Sequence, residues 1–396
     1  MNMGKPKIRF KGYTEDWEQR KVSEMFMVTR GYVLPATDTS EELSDEMPYP
    51  VYSSQTKDNG LMGYYSDYLY EDAITWTTDG ANAGTVNFRD GKFYCTNVCG
   101  VLLSDKVEAS KAVAEVLNNV AKRYVSYVGN PKLMNNVMAD IQITIPTSRE
   151  ERARISSYFS TLDHLITLHQ RKCEETKKLK KYMLQKMFPK NGESVPEIRF
   201  AGFTDAWEQR KVTDLGEIYI GLVTTMTEHY TDKGHLLIRN SDIKDGYFGF
   251  GENPIYLDEE FSEQNKSRMH QLGDVITVHT GDIGTSAVIG ENEVNSIGFA
   301  TIVTRPNQEI LDSNYFATYL NTDIHKQWAI SMATGDGRSN YNLKDYTKLV
   351  VPIPQIGEQK KMAACIGNLN GLITLHQRKC DELKNMKQYM LQNMFV

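Results

Sequence analysis

The chain has 396 residues, of which 40% are hydrophobic and 24% charged, with a formal net charge of −6. This apolar content suffices for packed cores and excludes a disordered chain, and the length suggests two or three domains. No apolar run approaches the roughly 18–20 residues of a membrane span, and no signal-peptide core is visible, so we expect a soluble, cytoplasmic protein. Five cysteines imply no disulfide framework, and Cys95 and Cys99 are expected to be buried thiols rather than zinc ligands.

The chain contains a duplication with a long period. The segment IRFKGYTEDWEQRKV is followed 190 residues later by IRFAGFTDAWEQRKV, and LITLHQRKC recurs unchanged after 207 residues. The repeated pairs are 8–22 with 198–212, 165–173 with 372–380, and 181–188 with 388–395. The offsets differ by 207 − 190, so the second copy carries a net insertion of 17 residues. A repeat of this kind has to be interpreted before any single motif.

The middles of the two copies, 23–144 and 213–352, share almost nothing in sequence. Faithful flanks around unlike inserts are typical of a scaffold that holds two readers of different targets. Uneven drift after an old duplication is the alternative, although it does not explain the nine identical consecutive residues.

Each insert is predicted to be an α+β domain, because β-type residues alternate with turn signals before a helical segment. In the first insert these features lie at 52–60, 74–80, 92–97 and, for the helix, 106–122. In the second insert they lie at 236–241, 274–278 and, for the helix, 314–320. A proline- and glycine-containing linker, 189–197, joins the two copies.

Each copy ends in a predicted long helix. Ser148 and Glu151 have the spacing of a capping box, and neither glycine nor proline follows until Pro189. The second helix lacks the capping hydroxyl, and Gly367 and Gly371 predict a kink or irregularity in its first half.

Apolar residues recur every seven positions in both helices, and a second set follows each first set by three residues, which predicts a seam against a partner helix. His169 and His376 are interpreted as polar seam residues. The predicted helix-pairing residues are Ile155, Leu162, Leu165, Leu179, Met183, Leu369, Leu372, Leu383 and Met390.

Basic charge concentrates on these helices. Segment 149–190 has 11 Lys and Arg against 5 Asp and Glu, and segment 358–396 has 6 against 3. The inserts are acidic, with 11 against 17 over 17–148 and 12 against 21 over 207–357. DNA binding would therefore need local positive charge within each insert, or charge from partner subunits.

No catalytic motif is present. The sequence lacks GxxxxGK[ST], GxSxG and HExxH, and Asn253-Pro254-Ile255-Tyr256 lacks the second proline of the NPPY motif of amino-methyltransferases. We predict no catalytic residue and no metal ligand.

The inserts carry polar residues near turns that are suited to hydrogen-bonding base edges, although solvated loop residues are the alternative for each. Lys132 and Arg338 are favoured, because each follows a glycine turn shortly before the last strand of its insert. The candidates are Gln55, Lys57, Asn59, Thr77, Asn82, Arg89, Asn97, Lys132, Arg239, Asn240, Lys244, His279, Arg338, Ser339 and Asn340.

The repeated flanks around two unlike inserts resemble the specificity subunit of bacterial type I restriction-modification enzymes over essentially the whole chain. This resemblance implies two target-recognition domains and two long helices that pair as an antiparallel coiled coil, with an internal pseudo-two-fold repeat. The implied boundaries are 1–146 and 198–354 for the recognition domains, 147–188 and 355–396 for the helices, and 189–197 for the linker.

The resemblance also implies a function without catalysis by this chain. Each recognition domain would read one half of a split double-stranded DNA site. The helices would act as a ruler and bind two modification subunits, and restriction subunits would join the complex. S-adenosylmethionine, ATP and Mg would be bound by those partners, and no cofactor by this chain. The competing classes are a coiled-coil adaptor without base readout and a stand-alone DNA-modifying enzyme.

Overall fold

The computed structural model describes residues 6–54, 57–190, 192–333 and 340–395. The chain divides into two compact units, each with an α+β fold as predicted. Unit 1 comprises Met1–Arg171 and His376–Val396, and unit 2 comprises Lys172–Leu375. The division falls within both long helices, so each unit contains part of each of them.

The elements of the first copy are strands followed by one long helix, with short helices between. The strands are β1 Glu18–Lys21, β2 Phe26–Arg30, β3 Tyr49–Tyr52, β4 Leu61–Tyr65, β5 Tyr70–Thr77, β6 Val86–Cys95, β7 Cys99–Ser104 and β8 Gln142–Ile145. The helices are α1 Val22–Met25, α2 Lys111–Val120, α3 Asn135–Asp140 and the long α4 Arg149–Lys186.

The second copy follows the same order with more short strands. The strands are β9 Glu208–Lys211, β10 Gly216–Ile220, β11 Tyr230–Thr231, β12 His235–Arg239, β13 Ile243–Lys244, β14 Tyr247–Phe248, β15 Tyr256–Leu257, β16 Val275–Thr277, β17 Ser286–Val288, β18 Ile297–Phe299, β19 Ile302–Pro306 and β20 Val350–Ile353. The helices are α5 Glu259–Gln264, α6 Ser313–Leu320, α7 Asp323–Met332, α8 Leu343–Tyr346 and the long α9 Ile356–Met394.

The two inserts share a four-stranded core with the same strand order despite their unlike sequences. Unit 1 contains the strand order β2-β7-β5-β6, and unit 2 contains β10-β19-β16-β17, with antiparallel neighbours throughout. In unit 1 the sheet continues through the parallel pairing of β3 with β6 to β4, whereas unit 2 has a second sheet, β11-β15-β12-β18, in which β12 and β18 are parallel. A helix covers the core side of each sheet: Val113 and Leu117 of α2 lie in the core of unit 1, and Phe316 of α6 lies in that of unit 2.

The repeated flanks form the same arrangement in both copies, which we call the frame. The EQRK strand pairs antiparallel with the last strand of the insert, β1 with β8 and β9 with β20. Trp17 packs on Phe395 with ring centroids 6.1 Å apart, and Trp207 packs on Phe188 at 6.2 Å. The long helix of each copy therefore ends in the unit that contains the other copy's insert.

In each frame, one arginine donates two hydrogen bonds to one glutamate, an arrangement that we call a fork. In unit 1, Arg9 donates to both carboxylate oxygens of Glu151, at 2.6 and 2.7 Å. In unit 2, Arg199 makes the same fork with Glu358, at 2.8 and 2.9 Å. Ser148 does cap α4, because its hydroxyl accepts the Glu151 N–H at 3.2 Å. The reciprocal half of the predicted capping box is replaced by the fork with Arg9.

The long helices pair antiparallel, as predicted. In unit 1, successive contacts along α4 meet residues of decreasing number in α9. Phe159 stacks on Phe395 at 5.7 Å, Asp163 meets Lys387 at 2.7 Å, and the Nδ1 atoms of His169 and His376 lie 3.0 Å apart. In unit 2, the Cys173 thiol points to the Ile373 carbonyl at 3.9 Å.

The register of the seam differs from the prediction. Leu179 and Leu372 were both predicted to lie in the seam between the helices, but their side chains are 48% and 45% exposed. The second set of seam residues lies four positions after the first, not three, as buried Phe159, Cys173 and Cys380 show.

The other predicted pairing residues lie at or near the cores. Ile155 and Leu162 are buried in unit 1, where Leu383 and Met390 pack against the same core. Met183 and Leu369 pack against the core of unit 2, and Leu165 is half-buried.

Helix α9 is continuous through Gly367 and Gly371, so the two glycines do not interrupt it. Its first half packs Met362 and Ile366 into the core of unit 2, and this tertiary packing outweighs the low helix propensity of two exposed glycines. Within the described residues, no helix is both long and apolar enough to cross a bilayer.

Candidate DNA interface

Four loops of unit 1 are joined by hydrogen bonds into one surface, which we call the loop edge of unit 1. It comprises 53–54 with 57–60, 77–85, 95–99 and 126–132. Asn82 donates from Nδ2 to the Ser54 carbonyl at 2.9 Å, and the Gly80 N–H donates to the Pro131 carbonyl at 2.9 Å. The candidates Asn59, Asn82, Asn97 and Lys132 therefore lie on one surface, although they are distant in sequence.

Arg89 supports this surface and does not belong to it, which corrects the prediction. Its side chain is only 7% exposed, and its guanidinium lies 3.7 Å from the ring centroid of Tyr52. It donates to the Thr75 hydroxyl at 3.0 Å and to the Asn59 carbonyl at 2.8 Å, and burial lowers the pKa of Arg89. Asn59 and Asp58 have φ of +54° and +49°, so Arg89 holds a loop in an uncommon conformation.

The remaining candidates of unit 1 differ in accessibility. Lys132 is half-exposed, and its Nζ lies 3.4 Å from Oδ1 of Asp79. Asn97 is exposed, whereas Thr77 is buried at the end of β5. Gln55 and the side chain of Lys57 lie outside the described residues.

Asn240 organises the corresponding surface of unit 2, the loop edge of unit 2, which comprises 240, 279–285, 298–301 and 340. Its Oδ1 accepts the N–H groups of His279 and Thr280 at 2.7 and 3.4 Å. Its Nδ2 donates to the carbonyls of Phe299 and Ala300 at 3.3 and 3.0 Å. Because both ends of the amide are occupied, Asn240 positions the loops and cannot read an adenine by a bidentate contact, which corrects its prediction.

Two basic candidates of unit 2 are also engaged within the protein. Arg239 makes a fork with Asp242, at 3.0 and 2.9 Å, beside the turn that follows β12. Lys244 is exposed and donates to the Ser241 carbonyl at 2.7 Å. This fork occupies much of the guanidinium of Arg239 and disfavours the predicted guanine contact.

His279 and Asn340 meet at Thr280. The Thr280 hydroxyl donates to the Asn340 amide oxygen at 2.7 Å and lies 2.7 Å from Nδ1 of His279. Burial lowers the pKa of His279, which favours the neutral ring. Arg338 and Ser339 lie outside the described residues.

A glycine turn common to both loop edges was missed in the sequence. The Gly84 N–H donates to the Thr77 carbonyl at 2.9 Å, and the Gly284 N–H donates to the Val278 carbonyl at 3.1 Å. Both glycines have positive φ, +80° and +82°, which disfavours other residues there. The only sequence signal is the pair GANAGT and GDIGT, which differ in length by one residue.

An asparagine side chain, half-buried in unit 1 and buried in unit 2, then fixes the strand after each turn. Asn118 accepts the Val86 N–H at 3.0 Å, and Asn321 accepts the Ser286 N–H at 3.0 Å. Matching turns and matching anchors mean that Lys132 in unit 1 occupies the position of Asn340 in unit 2, opposite Asp79 and Thr280 respectively.

Comparison with known proteins agrees with this architecture. The sequence model of the family described as "Type I restriction modification DNA specificity domain" matches residues 14–178 and 204–385. A Mycoplasma pneumoniae protein named as the N-terminus of type I specificity subunit S.MpnORF289P is 35% identical over 144 residues, 36% of this chain and 75% of that one. The MjaVIII specificity subunit of Methanocaldococcus jannaschii is 22% identical, covering 95% of this chain and 91% of that one.

A solved structure shares the fold over nearly the full length. The S subunit of a type I restriction-modification system from M. genitalium superposes with a TM-score of 0.68 at 15% identity, covering 99% of each chain. The family model covers both copies of the repeat, and its description is that of a DNA specificity domain. The chain belongs to the family of type I restriction-modification specificity subunits.

Proposed function

We propose that this chain directs a type I restriction-modification complex to a bipartite duplex DNA target, with one half-site read by the loop edge of each unit. One observation carries the proposal: two inserts with a common four-stranded core stand on the same repeated frame, and their loop edges carry different side chains. A scaffold that repeats its frame and changes its loops suits a reader of two different half-sites.

The difference in loop chemistry falls at matched positions. Unit 1 places the charged pair Asp79 and Lys132 where unit 2 places the neutral pair Thr280 and Asn340. Lysine addresses the acceptors of guanine, whereas asparagine pairs with the donor and acceptor of adenine. Matched positions with different hydrogen-bonding groups therefore favour different preferred bases in the two half-sites.

The repeated helices also carry matching exposed apolar residues, which support binding of two copies of one partner. Leu179 and Tyr182 of α4 are exposed in unit 2, and Met386 and Tyr389 of α9 are exposed in unit 1. Each of these pairs lies at the same place in the repeat, and exposed apolar patches mark interaction sites. We assign the two patches to two modification subunits.

The remaining parts of the proposal concern the whole complex. Restriction subunits join it, and S-adenosylmethionine, ATP and Mg are bound by the partner subunits, in the cytoplasm. Sequence-independent DNA binding by the assembled complex would favour a coiled-coil adaptor instead. Robust methyl transfer by the purified chain without partners would favour a stand-alone enzyme.

The test replaces residues 23–144 with the corresponding insert of another specificity subunit, in cells that also carry the modification subunit. Methylation-aware sequencing should show a motif with one new half and one unchanged half. The matched control replaces 213–352 and should change the opposite half. If either exchange alters both halves, the two units do not read independent half-sites and the proposal is wrong.

A further inference from the structure

The most basic stretch of the first insert is also rich in tyrosine. Residues 122–132 read KRYVSYVGNPK, with three basic residues and no acidic one, within an insert that has 17 acidic and 11 basic residues. Lys122 and Arg123 are exposed, and Lys132 is half-exposed. Positive charge is thus local on an otherwise acidic domain, which is the distribution that phosphate binding requires.

The end of this stretch is a hairpin with a rigid base. Ser126 and Lys132 exchange both backbone hydrogen bonds, at 2.8 and 2.9 Å. The Pro131 carbonyl accepts the Gly80 N–H at 2.9 Å, so the hairpin is fastened to the glycine turn of the loop edge. Buried Val125 and Leu133 anchor its two ends in the core of unit 1.

The tip of the hairpin projects apolar side chains into solvent. Val128 is 92% exposed and Tyr127 is 71% exposed, and Gly129 closes the turn with φ of +78°. The rest of the chain does not bury Tyr127 and Val128, although hydrogen bonds fix the base of the hairpin that carries them. Such an arrangement is suited to contact with a ligand that approaches the loop edge.

We propose that hairpin 126–132 is a specificity element of unit 1, in which Tyr127 and Val128 contact base edges in a DNA groove. Lys122 and Arg123 bind the flanking phosphates. This inference rests on the proposed function and deepens it. Duplex DNA is the occupant that the charge favours, because Lys122 and Arg123 are exposed side by side in a stretch without an acidic residue, which complements phosphate. Apolar side chains can contact thymine methyl groups, and tyrosine can also pack against bases.

The test uses the complex with modification subunits and two double variants. Tyr127→Ser with Val128→Ser should weaken binding to the matched site about 5- to 100-fold, the range expected when base-edge contacts are lost. Binding to DNA with that half-site scrambled should change little, so discrimination falls while its salt dependence is unchanged. The methylated motif should relax in one half only.

The second variant, Lys122→Gln with Arg123→Gln, should weaken binding to all sequences alike. The slope of log affinity against log salt should fall by roughly two, because about 0.9 is lost for each phosphate contact. Tyr247→Ser, which removes an exposed tyrosine from unit 2, is the matched control and should leave the same half-site unaffected.

Three results would overturn the inference. Unchanged affinity and motif in the tip variant would show that the hairpin reads nothing. Loss of complex assembly, measured by gel filtration, would show that its occupant is a protein subunit. Relaxation of both half-sites would contradict its assignment to unit 1. A wild-type complex without any bipartite motif would instead refute the proposed function itself.

Discussion

Unit 1 and unit 2 fasten their inserts to the long helices by different chemistry. In unit 1, Lys111 and Lys387 alternate with Glu115 and Asp163 in a closed ring of four ion pairs, at 2.7 to 2.9 Å, that joins α2, α4 and α9. Burial opposes the charge on Lys111, yet the neighbouring carboxylates raise its pKa.

Unit 2 has no such ring among its described residues: Lys180 of α4 pairs with Asp245 alone, at 2.8 Å, and neutral groups make further contacts between the helices and the insert. Tyr315 of α6 packs against Phe188 with ring centroids 5.7 Å apart. The Gln359 amide of α9 accepts the Asp312 N–H at 2.9 Å and donates to the Ile310 carbonyl at 3.0 Å. The repeated frame is thus the same in both units, whereas the side chains that join the frame to the insert differ between them. The comparison teaches that the same frame accommodates inserts that dock through different side chains.

The largest expected effect tests the part that the two units share. Arg9→Ala and Arg199→Ala should each cost about 3–5 kcal/mol of unfolding free energy, because each leaves a buried glutamate unpaired. Hydrogen exchange read separately in each unit should show matched losses. Arg20→Ala, which removes a surface pair with Glu18, should cost under about 1 kcal/mol. Strongly unequal losses at the two forks would contradict an equivalent frame.

A matched lysine pair tests the difference between the units. Lys387 and Lys180 occupy the same place in the repeat, but Lys387 meets buried Glu115, whereas Lys180 meets the exposed Asp245. Lys387→Met should cost about 3 kcal/mol, and Lys180→Met about 1 kcal/mol or less. Urea unfolding of both variants, followed by tryptophan fluorescence, measures this. Equal losses of unfolding free energy would show that the ion pairs of Lys387 and Lys180 contribute alike, and the two units would not differ at this contact.

Acid should weaken unit 2 through two buried histidines. Burial lowers the pKa of His270 to about 3 and that of His325 to about 4. The unfolded chain binds a proton near pH 6.5 that the folded unit does not, so stability is lost as pH falls from about 6.5 towards these values. At pH 5 the loss is about 2 kcal/mol for each histidine.

Hydrogen exchange in unit 2, corrected for the intrinsic pH dependence of exchange, measures this loss. His270→Gln should remove about half of this loss between pH 6.5 and 5, because His325 still contributes the other half. A wild-type profile that is flat over this interval would contradict the neutral state of both rings.

The smallest effect tests the seam register. Leu179→Lys and Leu372→Lys should change unfolding free energy by under about 0.5 kcal/mol, because both leucines are exposed. Cys380→Lys should lower the free energy of unfolding far more, because the Cys380 side chain is buried. Thermal unfolding of the isolated chain compares the three. A large loss at either leucine would restore the predicted register.

The candidate site was only partly predictable. Lys132 and Asn340 were named from sequence, and the loop edges bring them to matched positions. Arg89 and Asn240 were predicted to contact bases for the same reason, but their side chains hydrogen-bond to carbonyl and N–H groups of the protein itself. Residue type indicates which bonds a side chain can make, whereas only the packing of distant loops decides which partner is nearer.

The sequence by itself determined the duplication, the two long helices and the family, because nine identical residues and a seven-residue period are local properties. Only the tertiary structure decided the common four-stranded core of the inserts and the register of the seam. Spacings of three and four residues both keep side chains on one helix face, so periodicity alone permits either Leu179 or Lys180 in the second set. The partner helix and the insert cover one of these rows, and burial of Cys173 and Cys380 identifies which row it is.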